Sequence, residues 1–432
     1  MISTESPITA LTPATPTLVL SPFTLPTTTQ SSEAPLRVAR VHGDEELAAL
    51  ADAWNRLAGD VPFRRHEWLE AWWRHYGTAD MESFVLTVAD AAGTLVGVAP
   101  FCLEKSKSRG RVVRFLGSGE VASDYVGVLA ADGHEAAVAH EFARWISREG
   151  AGQWDLIDLD GIAPDDVVTL GLAAELESRG HMLNRRERFR TWRVTLPGDW
   201  NQYLMGLSKS RRERARQLLR RNFDTGRAVL HVVAEADEVT RGIDVLRTLH
   251  QSRRESLGEA GCFASARFGT FHAEVARKFL DLGRLRLQWL ELDGRPVAAE
   301  YSLGGGDTVY YYQSGFDAEL ADARPGWLAL VASLRLAIGQ GFRCFDFLRG
   351  DEPYKASLGA ASRSLIELRI VGRSPSARLR NAAWVATEGM KVWVKRGLKL
   401  CKQGSRSGNV LTGDAQAAEA GIEKPAGESP PT

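Results

Sequence analysis

The segment Phe345-Asp346-Phe347-Leu348-Arg349-Gly350-Asp351-Glu352-Pro353-Tyr354-Lys355 gathers carboxylates, an Arg, a Tyr and a Lys where an apolar strand runs into a glycine turn. Polar groups of both signs at a strand end can move protons and stabilise developing charge, work that loops on a rigid scaffold often do. A solvated loop has the same composition, so both readings stand at this level. Arg324-Pro325-Gly326-Trp327 is a second place. Pro suits a first helical turn, and the free N–H groups there attract anions, so a helix start beside an Arg fits a pyrophosphate; ordinary helix starts look alike. In Arg64 to Gly77, Trp68, Trp72, His75 and Tyr76 recur on one face of a helix that Gly77 stops. Such a stripe usually packs in a core, though flat Trp rings also suit the wall of an acceptor site.

Two other patterns carry no chemistry. His134 and His140 are six residues apart and point to different helix faces, so no metal is assigned. Gly304-Gly305-Gly306-Asp307 lacks the Lys-Ser/Thr of a phosphate loop and reads as a hairpin turn.

The elements that would position these residues occur twice. Phe84 to Val88, a turn at Ala92-Gly93 and Leu95 to Ala99 form one hairpin; Leu285 to Leu292, Asp293-Gly294 and Pro296 to Tyr301 form another. Each is followed by an apolar strand (Val112 to Leu116; Thr308 to Tyr312, running into Gln313-Ser314-Gly315), a helix (Ala136 to Ser147; Trp327 to Ile338) and a strand carrying an Asp (Trp154 to Leu159; Phe342 to Phe347). Hairpin, strand, helix, strand, repeated in order, predicts two copies of one α/β unit with mixed sheets of the α+β kind. A basic bridge helix, Ser208 to Arg221, joins them. Its Ser210-x-x-Glu213 has the form of a capping box; Leu204, Leu207, Leu218 and Leu219 would line one face, and Lys209, Arg212, Arg216 and Arg220 the others.

The 432 residues ask for two or three domains. Lys+Arg and Asp+Glu are 54 each, which removes the overall basic excess of a duplex-coating protein. Cys102, Cys262, Cys344 and Cys401 are scattered without a C-x-x-C pair, which implies a reducing cytoplasm. No apolar run approaches the length of a spanning helix, and no export signal is expected. The expected division is a disordered Ser/Thr/Pro-rich tail (1–35), an N-terminal unit (36–196), a C-terminal unit with the bridge helix (197–373), a basic amphipathic helix (374–402) and a second disordered tail (403–432). In 378–402, Trp384, Val385, Val392, Trp393 and Leu400 alternate with Arg380, Lys391, Lys395, Arg396 and Lys399. That pattern suits either docking on its own domain or peripheral contact with the inner face of an anionic membrane.

Asp346 to Lys355 resembles the C-terminal signature of the CelD/BcsL-type acetyltransferases, a branch of the GNAT superfamily related to the FemAB aminoacyltransferases. The resemblance extends to Phe63 to Gly77, Ser123-Asp124-Tyr125, the bridge helix and Arg324-Pro325-Gly326, spanning about residues 37 to 372. It implies two tandem GNAT-like units that transfer an acyl group from acetyl-CoA or another acyl-CoA to an amine of a sugar or peptide, in cell-envelope or exopolysaccharide metabolism. It also implies a β-bulge that offers a backbone N–H to the thioester carbonyl, and a helix N-terminus that holds the carrier's pyrophosphate. Carried over by position, Asp124 is the first choice for general base and Asp351 the second. Tyr354 and Tyr312 are candidate acids or hydrogen-bond donors, and Lys355 offsets negative charge on the donor side. Gln313, Arg324, Gly326 and Arg349 face the carrier; Trp68, Trp72, Tyr125 and Arg212 face the acceptor. The usual Gln/Arg-x-x-Gly-x-Gly/Ala loop is missing before Trp327, which leaves an aminoacyl-tRNA donor as the alternative, alongside a non-catalytic module binding a polymer or membrane surface.

Overall fold

The computed structural model describes residues 36–387. The expected tails, 1–35 and 403–432, and residues 388–402 of the expected basic helix lie outside the described residues. The first half runs β1 (Arg37–Arg40), α1 (Gly43–Ala49), α2 (Ala51–Leu57), α3 (His66–Tyr76), β2 (Met81–Ser83), β3 (Leu86–Ala89), β4 (Leu95–Ala99), β5 (Phe101–Ser106), β6 (Gly110–Phe115), β7 (Leu129–Ala130), α4 (Glu135–Ser147), β8 (Leu156–Ile162), α5 (Val167–Ser178) and β9 (Met182–Thr195). The second runs α6 (Trp200–Gly206), α7 (Lys209–Asn222), β10 (Ala228–Val232), α8 (Ala236–Ser256), α9 (Ala266–Asp281), β11 (Leu285–Leu292), β12 (Arg295–Gly305), β13 (Thr308–Phe316), α10 (Pro325–Gly339), β14 (Cys344–Arg349), α11 (Pro353–Ser357) and β15 (Ala361–Val371), with a helical stretch at 375–387.

The expected repeat is visible in the pairing. Each half has an antiparallel hairpin, β3 with β4 and β11 with β12. Each then has two parallel strands joined through a helix, β6-α4-β8 and β13-α10-β14. Helices cover both faces of the second-half sheet, so β12 is buried almost throughout and reads as a continuous apolar run. α10 is apolar nearly all round, because its buried Leu328 to Leu334 contact the sheet on one side and α6 and α7 on the other. The result is a mixed α/β fold in which one hairpin, strand, helix, strand unit occurs twice. A sheet of four strands, β1-β3-β4-β7, belongs to the first half. One of eleven, β10-β11-β12-β13-β14-β9-β15-β8-β6-β5-β2, passes through both.

The bridge differs in detail from expectation. Leu207 and Ser208 are extended and break it into α6 and α7, so Leu204 and Leu207 belong to the end of α6 and not to the basic helix. Ser208 takes the N-cap position without a side-chain cap bond, which leaves Ser210 inside the first turn and the capping box unformed.

Candidate functional site

β13 and β14 are paired only over Thr308 to Tyr310 against Cys344 to Asp346. Beyond that point β13 continues to Phe316 and β14 to Arg349 without a ladder between them, and the two strands separate. On its other side β13 pairs Gln313 with Tyr301 and Tyr311 with Ser302, so Tyr312 is an extra residue in a β-bulge. An open strand edge at a bulge presents backbone amides that a thioester carbonyl could use as it becomes an oxyanion. α10 begins past the end of β13. Arg324 is its N-cap in a left-handed conformation (φ 50°), Pro325 opens the first turn, and the Arg324 side chain is exposed. Gly326 lies against the Phe316 ring so closely that a Cβ would collide with it.

Tyr311, Phe347 and Tyr354 line one face of this gap, with Phe347 5.9 Å from the Tyr311 ring and 6.0 Å from Tyr354. Burial raises both tyrosine hydroxyls above their ordinary value, so they stay protonated and can donate. Beneath Tyr311 sits Glu300, 2% exposed, which accepts hydrogen bonds from Gln288 Nε2 (2.8 Å) and Ser333 Oγ. Among the described residues no cation meets its carboxyl, and burial pushes it up to about 7.

The other face is a seam with the first half. Asp124 accepts hydrogen bonds from the Arg349 backbone N–H (3.0 Å) and Nε (2.6 Å). It is 1% exposed, and burial pushes its carboxyl up to about 6 against the pull of Arg349. Next to it, Tyr125 donates to Asp346 Oδ2 (2.8 Å), Arg193 Nε donates to the same oxygen (2.6 Å), and Leu348 N–H donates to Oδ1 (2.8 Å). Tyr125 (φ 64°) and Leu348 (φ 54°) are both held in the left-handed region, and this polar cluster fixes them there.

The structure thus brings Asp124, Tyr125 and Arg349 together, and places Tyr354 across the strands from them. Lys355 is 2% exposed and donates to the carbonyls of Arg349 and Gly350 (3.1 Å each) and to Glu352 (2.8 Å). Its charge is spent on the loop after β14. Asp351 is exposed and accepts from Trp192 Nε1 (3.2 Å). Tyr312 points into the seam and donates to Val121 O (2.7 Å), while Gln313 turns toward Cys262. Arg212 lies apart on α7, against Met205. Trp68 and Trp72 do not form an acceptor wall. They are 0% and 3% exposed, bonded through Nε1 to Ser123 Oγ and Ser118 O, and Trp68 packs edge-on against Phe271 of α9. Arg193 and Glu300 were not singled out from the sequence. Glu300 had a signal, a single carboxylate inside the apolar run Val297 to Leu303; Arg193, in an arginine-rich stretch, had none.

Residues 209–356 match the model of a family described as acetyltransferase (GNAT) domain. Among solved structures, FemX is 12% identical with a TM-score of 0.53, the match covering 76% of this chain and 96% of that one. A conserved protein of unknown function from Bacteroides thetaiotaomicron is 11% identical with a TM-score of 0.49, covering 78% and 99%. A tandem GNAT protein from the clavulanic acid biosynthesis pathway is 11% identical with a TM-score of 0.42, covering 79% and 99%. No curated protein matches the chain. Residues 209–356 therefore match an acetyltransferase domain of the GNAT type, which supports an acyltransferase. The open strand pair, bulge and helix start fall inside the matched residues.

Proposed function

We propose that the enzyme moves an acyl group from a CoA thioester to an amine of a sugar or peptide, with the donor in the gap between β13 and β14. The observation that carries this reading is the interrupted parallel pair: a bulge at Tyr312 on the open edge, with the α10 N-terminus and Arg324 beyond it. In this reading the α10 amides and Arg324 take the carrier's phosphates, and the bulge amide takes the thioester oxygen. Tyr354 on the Phe347 face supplies a proton to the departing thiolate. Asp124 is engaged by Arg349 through both oxygens, which suits it to hold the end of β14. Asp351, exposed at the head of α11, is then the better fit for receiving the amine's proton. The CelD/BcsL likeness supports an envelope or exopolysaccharide acceptor, and we take 36–196 and 197–373 as the two repeated units.

Calorimetry with acetyl-CoA, followed by thioester consumption with a panel of amino sugars and peptides, tests the reading. We expect binding that weakens in Arg324→Ala and turnover that falls in Asp351→Asn; absence of binding to any CoA thioester overturns the CoA form. A specific observation favours a second reading, an aminoacyl-tRNA donor. The Arg211 guanidinium lies over the Trp327 ring (5.4 Å), so basic α7 adjoins the α10 start, and Lys209, Arg216, Arg220 and Arg221 are exposed beside it. A gel shift with aminoacylated tRNA, steeply salt-dependent, would support it. Peripheral membrane contact through 378–402 is also proposed. The described beginning of that segment docks where the two halves share the sheet, with Trp384 under Arg369 of β15 (3.7 Å) and Arg380 beside Asp155 (3.4 Å), so the contact would rest on residues 388–402. Liposome flotation with and without 388–432 decides it.

A further inference from the structure

β10 (Ala228–Val232) ends the eleven-stranded sheet and pairs on one side alone, with β11. Two bonds at its ends fix the direction of its backbone. Arg227 O accepts from the Asp293 N–H (2.9 Å), and the Val233 N–H donates to Leu287 O (3.0 Å), so the odd-numbered residues turn their main-chain groups toward β11. Successive residues of an antiparallel ladder alternate in that direction, and the register from Ala228 to Val232 runs without a bulge. Ala228, Leu230 and Val232 therefore turn their N–H and C=O groups outward, where among the described residues no backbone group meets them.

An open strand edge is a template for another strand, and proteins usually blunt it with charge or keep it short. The other ends of the two sheets are blunted in this way. β1 carries Arg37 and Arg40, β2 carries Glu82, and β7 is Leu129–Ala130 alone. β10 is Ala-Val-Leu-His-Val, with no Lys, Arg, Asp or Glu, and its Val229 and Val232 are 48% and 38% exposed. The charge lies in its flanks instead, and is divided by sign. Arg220, Arg221 and Arg227 precede the strand, with Asp224 among them; Glu235 and Asp237 follow it, and all are exposed.

We propose that β10 docks a second copy of this chain, strand against strand and antiparallel, about a two-fold axis at Leu230. Such a self-complementary contact is the usual form of a homodimer. In that register Leu230 meets Leu230 and Ala228 meets Val232, so the outward groups of all three residues pair. The basic flank of each copy then lies beside the acidic flank of the other, at both ends of a strand about 17 Å long. A parallel arrangement would set like charges together, so the flanks select the antiparallel one. Val229 and Val232 leave water as the strands meet. The gap between β13 and β14 lies further into the sheet, beyond β11 and β12, so the pairing does not occupy it.

Sedimentation velocity of the full chain over a concentration series tests this. We expect the mass to rise from one chain to two with concentration, and the association to weaken in added salt, which screens the flanks. Val232→Pro removes an outward N–H and leaves the bonds to β11 in place; it should stay at the mass of one chain while melting like wild type. Asp237→Lys, which touches no strand bond, serves if Val232→Pro melts early. It should associate about tenfold more weakly, the scale of two reversed exposed ion pairs, and recover when mixed with Arg221→Glu. One chain at every concentration overturns the proposal. So does a wild-type dimer that Val232→Pro and Asp237→Lys both leave unchanged, because that dimer would use another surface.

Discussion

Glu300 is a carboxyl that meets no cation among the described residues, buried under the tyrosine that lines the gap between β13 and β14, and its burial has a thermodynamic signature. Folded, it keeps its proton to about 7; its ordinary value is 4.5. Between those values the folded chain binds a proton that the unfolded chain does not, so its contribution to stability is complete below about 4.5 and is lost as pH rises through 7. The size is about 3 kcal/mol across the window. Wild type should therefore melt lower at pH 8 than at pH 5 by more than Glu300→Gln does, because Gln keeps the bonds to Gln288 and Ser333 without titrating. Equal pH slopes in melting scans of the two proteins would contradict this. Asp124 titrates with the same sign although Arg349 is its partner. Asp124→Asn removes the nearer of two carboxylates at the Arg349 guanidinium, leaving Asp160 at 3.9 Å, and should destabilise the fold. Burial raises the wild-type carboxyl from 3.8 to about 6, so as pH falls through 6 the folded wild type takes up a proton that its unfolded chain does not, and its melting advantage over Asp124→Asn should grow from pH 8 to 5; a difference that shrinks would contradict this.

At the scale of elements, the α10 start is where stability and function separate. Arg324 is left-handed at the N-cap, a conformation glycine adopts without steric cost. Arg324→Gly should raise stability by about 0.5–1 kcal/mol. If the guanidinium grips the carrier, the same change raises KM for the thioester about tenfold with kcat nearly unchanged; a KM equal to wild type would release Arg324 from that role. Much of this architecture was legible in the sequence. The hairpins, the strands after them and both crossover helices showed as alternation or helical periodicity bounded by glycine turns. What escaped were elements whose partners are distant. β9 is studded with Arg185, Arg186, Arg188, Arg190 and Arg193 and reads as a polar loop, yet Glu367, between Arg186 (2.7 Å) and Arg188 (2.5 Å), makes it a strand. The Asp346 to Lys355 signature drew attention to the loop after β14, but nothing local shows that the Lys355 ammonium turns back onto the carbonyls of Arg349 and Gly350.

At the scale of the molecule, the two halves share strands. β9, which ends the first half, lies between β14 and β15 of the second, and β15 pairs in turn with β8. The largest apolar cluster is also common to both, with Trp68 and Phe142 on one side and Phe271 and Tyr301 on the other. A second half made alone, residues 197–373, would leave β14 and β15 without the strand that joins them, Asp346 without Arg193 and Tyr125, and Leu348 in a strained conformation with less to hold it. Such a fragment should fail to show a cooperative melt, although it contains every residue of the matched domain. Residues 36–387 should unfold in one transition, reported alike by far-ultraviolet dichroism and tryptophan fluorescence. Two separated transitions, or a fragment that melts sharply and binds acetyl-CoA, would mean the first half is a passenger. The expected single transition would instead mean that the first half shapes the gap between β13 and β14 from behind, through the Asp124 and Tyr125 bonds that set the end of β14.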